Sequence, residues 1–519
     1  MNRWCKLSII LLHTSLTVAA QNTNIANDYA STLYADATQT WHNTLNPAGL
    51  TRDSLQKRGT AYFDFQHMEG THYLVQNGDE ENKFTFYADA YQPIGKLLYG
   101  YGKMAFEEGR EFNRSWSDVL RSHHSNPYFS GSSISAKYDL QNVDLTASLA
   151  TIDVNNFTFG ARLDYKVGDF SRLRDPRSRI NLAEYRITPA ATYRTGKHIM
   201  GLSAHYKRRK EKLVGLKTVQ TDAIMKYYTY TGLENAVGSA GGYKSYEREY
   251  VDHELGGELS YNYRGRNFQS LNTLTLNTAH EDIYGTNKYM PGKYLRKEYS
   301  FASHNLVKTS DKLLHSIDAT VSIRPAQGDE YRQQKVITLD SVTGISSQEW
   351  KTTMTLNKRY EVQEYEADLR YRLMWTNNQA ITSFAGLHIH YVYDKDEYHL
   401  PESFLETGGA DIMLEGGSRI FRRNEKSLWI EGMLGYHAAT QSKLSLSNSS
   451  TDYAVNVLLP DMKYWKANYI MGNLEVSYHF PISIKNVRHE WFVKARGHYL
   501  STDQSTNAWN AGVSFGVFY

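Results

Sequence analysis

Residues 508–519 read AWNAGVSFGVFY, and the alternation in that stretch decides the fold. Trp509, Ala511, Val513, Phe515, Val517 and Tyr519 share one side of an extended chain, and Asn510, Gly512, Ser514, Gly516 and Phe518 share the other. Successive side chains of a strand point to opposite faces, so a period of two with one apolar row marks a strand with a greasy side. Chain ends usually fray. Here the pattern runs to the final residue, as expected where the last strand pairs with the first and closes a ladder.

The same rhythm recurs upstream. In NFTFGARLDYKV (156–167), Phe157, Phe159, Ala161, Leu163, Tyr165 and Val167 oppose a row holding Arg162, Asp164 and Lys166. In EYEADLRYRLMW (364–375), Tyr365, Ala367, Leu369, Tyr371, Leu373 and Trp375 oppose Glu364, Glu366, Asp368, Arg370 and Arg372. WFVKARGHY (491–499) sets Trp491, Val493, Ala495 and Tyr499 against Lys494, Arg496 and His498. Each stretch has the length of a tilted membrane-crossing strand. Short turn signals alternate with long polar segments. QPIGK (92–96), DVNN (153–156), TGK (195–197), RGR (264–266), TSDK (309–312), TNNQ (376–379), RRNE (422–425) and PISIKN (481–486) are the turns. The segments 108–130, 211–245, 325–350 and 441–461 are the long connections, the second holding the glycine-rich VGSAGGYKSY. Tight turns on one side and long loops on the other describe an up-and-down antiparallel transmembrane β-barrel. With both termini on the turn side it has about eighteen strands, within a range of 14–18.

Composition agrees. Forty Tyr, nineteen Phe and nine Trp stand against only ten Pro. Tyrosine suits strands and membrane–water boundaries, where an apolar ring carries a wet hydroxyl. Mean hydropathy is −0.57, which in a barrel means only that lipid-facing and inward rows average out. A secreted β-sandwich array is the competing reading, because periodicity does not say which way the apolar row points.

At the N-terminus, Arg3 and Lys6 precede an apolar run from Leu7 to Val18, and small residues lead to Gln21. This is the layout of a leader cleaved near Ala20, so the expected organisation is leader 1–20, N-terminal segment 21–58 as plug or periplasmic arm, and barrel 59–519. The single cysteine, Cys5, falls in the leader, which excludes disulfide scaffolds and thiol chemistry in the mature chain. Without the leader, 56 basic residues face 55 acidic ones, a balance that does not suit nucleic-acid binding.

A final strand ending in an aromatic residue resembles the signal read by the machinery that assembles bacterial outer-membrane barrels. That resemblance makes Trp509, Phe515 and Tyr519 its candidate carriers and the assembly machinery a partner. WHNTLNPAGL (41–50) contains Trp41, Asn46, Pro47 and Gly49, a tight turn whose Leu45, Ala48 and Leu50 want burial. It resembles the NPAGL stretch of FadL-type long-chain fatty acid transporters, where the N-terminal segment plugs the lumen. Together with Asp175-Pro176-Arg177, it is similar more broadly to uncharacterised outer-membrane β-barrel proteins of Bacteroidetes. That resemblance implies a fold and an outer-membrane location, with no reaction. Against a fatty-acid carrier stand the charged inward rows, since such a ligand wants an apolar lining.

His388, His390, Asp394 and Asp396 fall on one strand row of LHIHYVYDKDEYHL, where imidazole and carboxylate can hold a divalent cation. Ordinary lumen residues are the alternative reading. No GxSxG elbow appears and no cofactor motif stands out, so neither catalysis nor a cofactor is expected, an outer-membrane hydrolase being the minority reading. The inward rows, Arg162, Asp164, Lys166, Glu364, Glu366, Asp368, Arg370, Arg372, Lys494 and Arg496, mix both signs. They either pair across strands or line a wet passage, and mixed sign argues against a strongly ion-selective pore. Two functions follow as expectations. One is a pore or an accessory component of nutrient uptake, with a TonB-dependent transporter or surface lipoprotein as partner. The other is a non-conducting scaffold or adhesin displaying its loops.

Overall fold

The computed structural model describes residues 28–53, 55–120, 126–218, 226–240, 246–339, 346–485 and 487–519; the expected leader lies outside them. The strands are β1 (Arg58–Gly70), β2 (Glu80–Ile94), β3 (Leu98–Arg114), β4 (Ser130–Ser132), β5 (Ala136–Thr151), β6 (Phe157–Arg172) and β7 (Arg177–Thr195). They continue as β8 (His198–Lys217), β9 (Lys226–Gly232), β10 (Asn235–Ala240), β11 (Arg248–Arg264), β12 (Phe268–Gly285), β13 (Gly292–Ser310) and β14 (Leu313–Leu339). The last are β15 (Ser346–Asn377), β16 (Ala380–Tyr398), β17 (Ser403–Arg423), β18 (Lys426–Ser445), β19 (Tyr469–Ile484), β20 (Val487–Thr502) and β21 (Asn507–Phe518).

Eighteen of these form one sheet, and β4, β9 and β10 form a small separate one. Each barrel strand runs antiparallel to its neighbours, β3 pairing with β5 and β8 with β11 where the small-sheet strands intervene. The sheet closes between β1 and β21, from Thr60 opposite Phe518 to Gly70 opposite Ala508. The final residue is inside the ladder: Gly59 N donates to Tyr519 O at 2.8 Å, and Tyr519 N to Gly59 O at 2.9 Å. Closure leaves no edge, as a sheet surrounded by hydrocarbon requires.

The eight expected turns all join consecutive strands at one rim, where the barrel strands also begin and end. Their residues explain them. Asn155, Asn156 and Gly196 sit at φ 52°, 71° and 58°, the left-handed region that Asn and Gly enter most readily.

Alternation places the apolar rows outside. Leu202 on β8 is 59 % exposed while Ser203 beside it is 1 % exposed; Leu255 and Leu434 reach 62 %. Every barrel strand crosses such a belt, with Phe63, Leu163, Leu274, Phe301, Ile412 and Phe515 among its members. An apolar band of this size facing water would be strongly unfavourable, whereas facing acyl chains it is the solvent-matched surface of a transmembrane barrel. No described helix is long and apolar enough to cross a membrane; the strands do the crossing.

One expectation is corrected and one reading is extended. Residues 325–350 are largely strand: β14 and β15 stay paired from Glu330–Leu356 out to Leu339–Ser346, as a ribbon flanked by no third strand. Runs such as KVITL and TTMTL are β-branched, and local strand preference outweighs the polar composition. Tyrosine is also not confined to the membrane boundary, because many of these side chains are buried in a cap over the loop-side mouth, described next.

Candidate functional site

The chain's own segments lie across both mouths of the lumen. At the turn side, Asp28 caps the helix Tyr29–Thr38, its carboxylate accepting Ser31 N at 2.8 Å. Tyr29 N donates to Glu490 at 2.8 Å, its hydroxyl binds Glu431, and its ring packs edge-on to Trp429 at 5.1 Å. Leu33, Tyr34 and Ala37 pack against Leu306, Leu314, Met374 and Ile381 on the far wall.

Trp41, 1 % exposed, fills the space against Ile199 and Leu271. The NPAGL turn folds onto its indole because Gly49 has no side chain; a Cβ there would lie 2.3 Å from Trp41 Cε3. Asn46 Oδ1 accepts Ala48 N at 3.0 Å, and Pro47 opens the following 3-10 turn. The wall makes room: a Cβ on Gly160 would meet Ala48 N at 2.4 Å, and one on Gly201 would meet Asn46 Nδ2 at 2.7 Å. Thr158 Oγ1 donates to Ala48 O at 2.8 Å.

Charged groups fasten this stopper. Arg52, its side chain 3 % exposed, donates to Asp153 Oδ2 at 2.5 Å, Thr192 Oγ1 at 2.8 Å and Asn156 O at 2.7 Å. Arg264 grips Asp53 and the Arg52 carbonyl, while Trp41 N donates to Asp53 at 2.9 Å. Arg58 pairs with Asp36 at 2.7 Å and lies 4.7 Å over Tyr91, on which His42 stacks at 4.6 Å. Burial pushes the Asp53 carboxyl up to about 6, against the pull of Arg264. Burial, and then Arg58, drive His42 down to about 3, so its ring is neutral at ordinary pH.

At the loop side the long connections fold inward. The sheet of β4, β9 and β10 and the helix Leu459–Trp465 contribute to an aromatic core holding Trp116, Tyr128, Phe129, Tyr230, Tyr360 and Tyr453. Phe129 stacks on Tyr230 at 4.1 Å, and Tyr230 meets Tyr453 at 4.7 Å. Glu234 ties the connections together: Oε1 accepts from Ser403 Oγ and Ser447 Oγ, both at 2.6 Å, and from the Ser447 and Asn448 amides. Asp461 accepts Val75 N at 3.0 Å, joining a fourth connection. From sequence the 211–245 segment reads as a flexible lid, a docking surface or a solvated loop; that other connections pack with it into a cap went unforeseen. Its one local signal is Tyr227-Tyr228, adjacent aromatics that point to opposite faces and so mark a strand buried on both sides.

Between the mouths the inward rows are paired. Asp164 receives Arg162 and Arg186 at 2.8 and 3.0 Å, and Lys166 lies 3.8 Å from Asp144. Arg324 reaches Glu298, Glu364 and Glu366. Glu415 receives Arg370 at 2.5 Å and Arg372 at 2.6 Å. Lys494 bonds Glu475, and Arg496 bonds Asp64, each at 2.6 Å. A cavity of about 340 Å³ remains beside the β1–β21 seam, lined by Tyr62, Asp64, Lys83, Glu107, Lys494 and Arg496 among others.

The four residues read as a cation site divide. His388 Nε2 lies 2.5 Å from Asp368 Oδ2 and His390 Nδ1 lies 3.4 Å from the same oxygen. Asp394 and Asp396 sit further toward the cap, in the field of Tyr294 and Tyr360. Among the described residues no group of three or more His, Cys, Asp or Glu is arranged to hold a metal ion. At the seam, Trp509 and Phe515 face outward, and Tyr519 OH donates to Asp89 O at 2.9 Å.

Solved structures similar to this chain are receptor and transporter barrels. The ferric yersiniabactin uptake receptor FyuA from Yersinia pestis matches 89 % of this chain and 80 % of its own at 10 % identity, with a TM-score of 0.39. The copper transporter OprC matches 89 % and 82 % at 7 % identity, TM-score 0.40. The FrpB iron transporter from Neisseria meningitidis matches 92 % and 83 % at 8 % identity, TM-score 0.37. The paired ionic rows of this lumen are unlike the apolar lining that a fatty-acid carrier of the FadL type wants. No curated protein matches the chain. A family model covers residues 47–519, the whole barrel and the NPAGL turn from Pro47 onward, and the chain therefore belongs to a family of unknown function, DUF6850.

Proposed function

We propose that this protein is a non-conducting outer-membrane barrel, turn side toward the periplasm, that serves as an accessory or scaffold component of the cell envelope. The lipid-facing belt supports the membrane location. One observation carries the role: the chain lies across both mouths of its own lumen, through Trp41–Asp53 on one side and the Glu234-tied aromatic cap on the other. Ion pairs between the mouths neutralise groups that a conduit would offer to solutes. What the molecule offers outward is its loop side, above all the ribbon at the ends of β14 and β15, on which Ile337, Leu339 and Met354 are exposed. An uptake partner or surface lipoprotein is the class of protein such a surface suits.

Liposome swelling tests the reading. Vesicles holding the full chain should swell in arabinose or glycine no faster than protein-free vesicles. A variant lacking residues 28–53 and the cap connections should swell fast. Rapid swelling with the unaltered chain would restore the pore reading.

A further inference from the structure

The run YKRRKEK, residues 206–212, lies in the middle of β8. Its odd members turn inward and are paired, Lys207 with Glu254 at 2.8 Å and Arg209 with Glu211 at 3.0 Å. Its even members, Arg208, Lys210 and Lys212, follow Tyr206 and Leu202 on the outer surface, directly beyond the apolar belt. Lys293 and Lys297 join them on β13, on the same outer face as Tyr299 and, across the ladder, Leu276, and Lys288 lies in the connection between β12 and β13. Two carboxylates share this flank. Glu249 is taken by Lys210 at 3.1 Å and Lys288 at 3.5 Å, and Asp282 by Lys293 at 3.7 Å. Arg208, Lys212 and Lys297 are left without an ion pair or hydrogen bond among the described residues.

Aromatic rings lie among these cations at the margin of the belt, His253 directly opposite Arg208. Tyr206 OH meets His253 Nδ1 at 2.7 Å, and His253 stacks on His280 at 5.2 Å. The flank therefore brings together acyl-facing leucines, boundary rings and uncompensated positive charge, the groups that meet a lipid at its headgroup level. We propose that it binds the phosphate of an anionic lipid headgroup in the loop-side leaflet. Arg208 and Lys212, four residues apart on β8, stand roughly 13 Å from each other, and Lys297 lies three strands away on β13, so the three form a cationic surface that attracts headgroup phosphates and not a single closed pocket. The proposal rests on the outer-membrane reading above.

The test uses the full chain in phosphatidylcholine nanodiscs doped with phosphorylated lipid A or with the same lipid dephosphorylated. Native mass spectrometry counts the lipid retained. The phosphorylated form should be held and released by added salt, and the dephosphorylated form should be lost. Arg208→Gln, Lys212→Gln and Lys297→Gln together should lower retention, by roughly fivefold per removed cation. Arg179→Gln, which removes a cation bonded to Asp169 at 2.6 Å, should change nothing. Equal retention of both lipids, or of the triple variant and the unaltered chain, or salt-independent binding would overturn the proposal. A chain that stays dispersed in buffer and enters no nanodisc would instead defeat the membrane reading itself, and this proposal with it.

Discussion

Truncating Trp41 to alanine should loosen the turn-side stopper while leaving the barrel folded. The indole is 1 % exposed and packs on Ile199 and Leu271. A buried aromatic side chain removes about 150–250 Å² from water, which at about 25 cal/mol per Å² corresponds to roughly 4–6 kcal/mol. Measured losses for such truncations run about 3–5 kcal/mol. The barrel ladder contributes nothing to this contact, so the loss falls on the docked segment, and its undocked fraction should rise by roughly two to four orders of magnitude. Thr158→Cys supplies the reporter, since Thr158 is 0 % exposed and lies under Ala48. With Cys5 replaced by serine, it is the only thiol. Its labelling by a soluble maleimide should accelerate by about that factor in the Trp41→Ala background, where labelling follows the open population. Heat-modified gel mobility should still show a folded barrel. Unchanged labelling, or loss of the folded form at the same rate, would refute a separately docked stopper.

The same reporter gives a pH dependence with two opposed parts. Asp53 has a raised carboxyl pKa, so its contribution to docking is full below about 4 and lost as pH rises through about 6. His42 has a lowered pKa, so its contribution is full above 6.5 and lost as pH falls toward about 3. Asp53→Asn should therefore loosen on acidification and His42→Gln should tighten; identical profiles would contradict both assignments. Glu234→Ala should cost about 2–4 kcal/mol of loop-side stability by stranding four donors, read as faster proteolysis of the cap, with Glu234→Gln milder. Replacing residues 331–356 by a short turn should leave barrel melting within about 1 kcal/mol equivalent, because that ribbon packs on no third strand; a large drop would mean it supports the wall. Glu415→Ala should destabilise the wall more than Glu415→Gln, since it strands Arg370 and Arg372.

The barrel was legible because its information is local. Alternation in 156–167 or 508–519 is visible within a dozen residues, and Asn155 or Gly196 marks a turn by its own backbone preference. The NPAGL turn was legible for the same reason. What fastens it was not: Arg52 reaches Asp153 and Thr192, and Leu45 N reaches Glu258, across 101 to 213 residues of chain. The cap is the extreme case, with Glu234 bonding Ser403 and Ser447 and Tyr228 bonding Asp452, partners that no local pattern relates. For the inward row, alternation gave the side but not the register. Register sets His390 opposite Asp368 and His388 opposite Arg370, from where His388 reaches Asp368 diagonally instead of joining Asp394.

Planar-bilayer recording of the full chain tests the closed lumen most directly. Insertion should produce no stable conductance steps, with steps appearing only once residues 28–53 and the inward-folded connections are removed. Sustained ohmic steps from the unaltered chain would contradict a barrel stoppered at both ends.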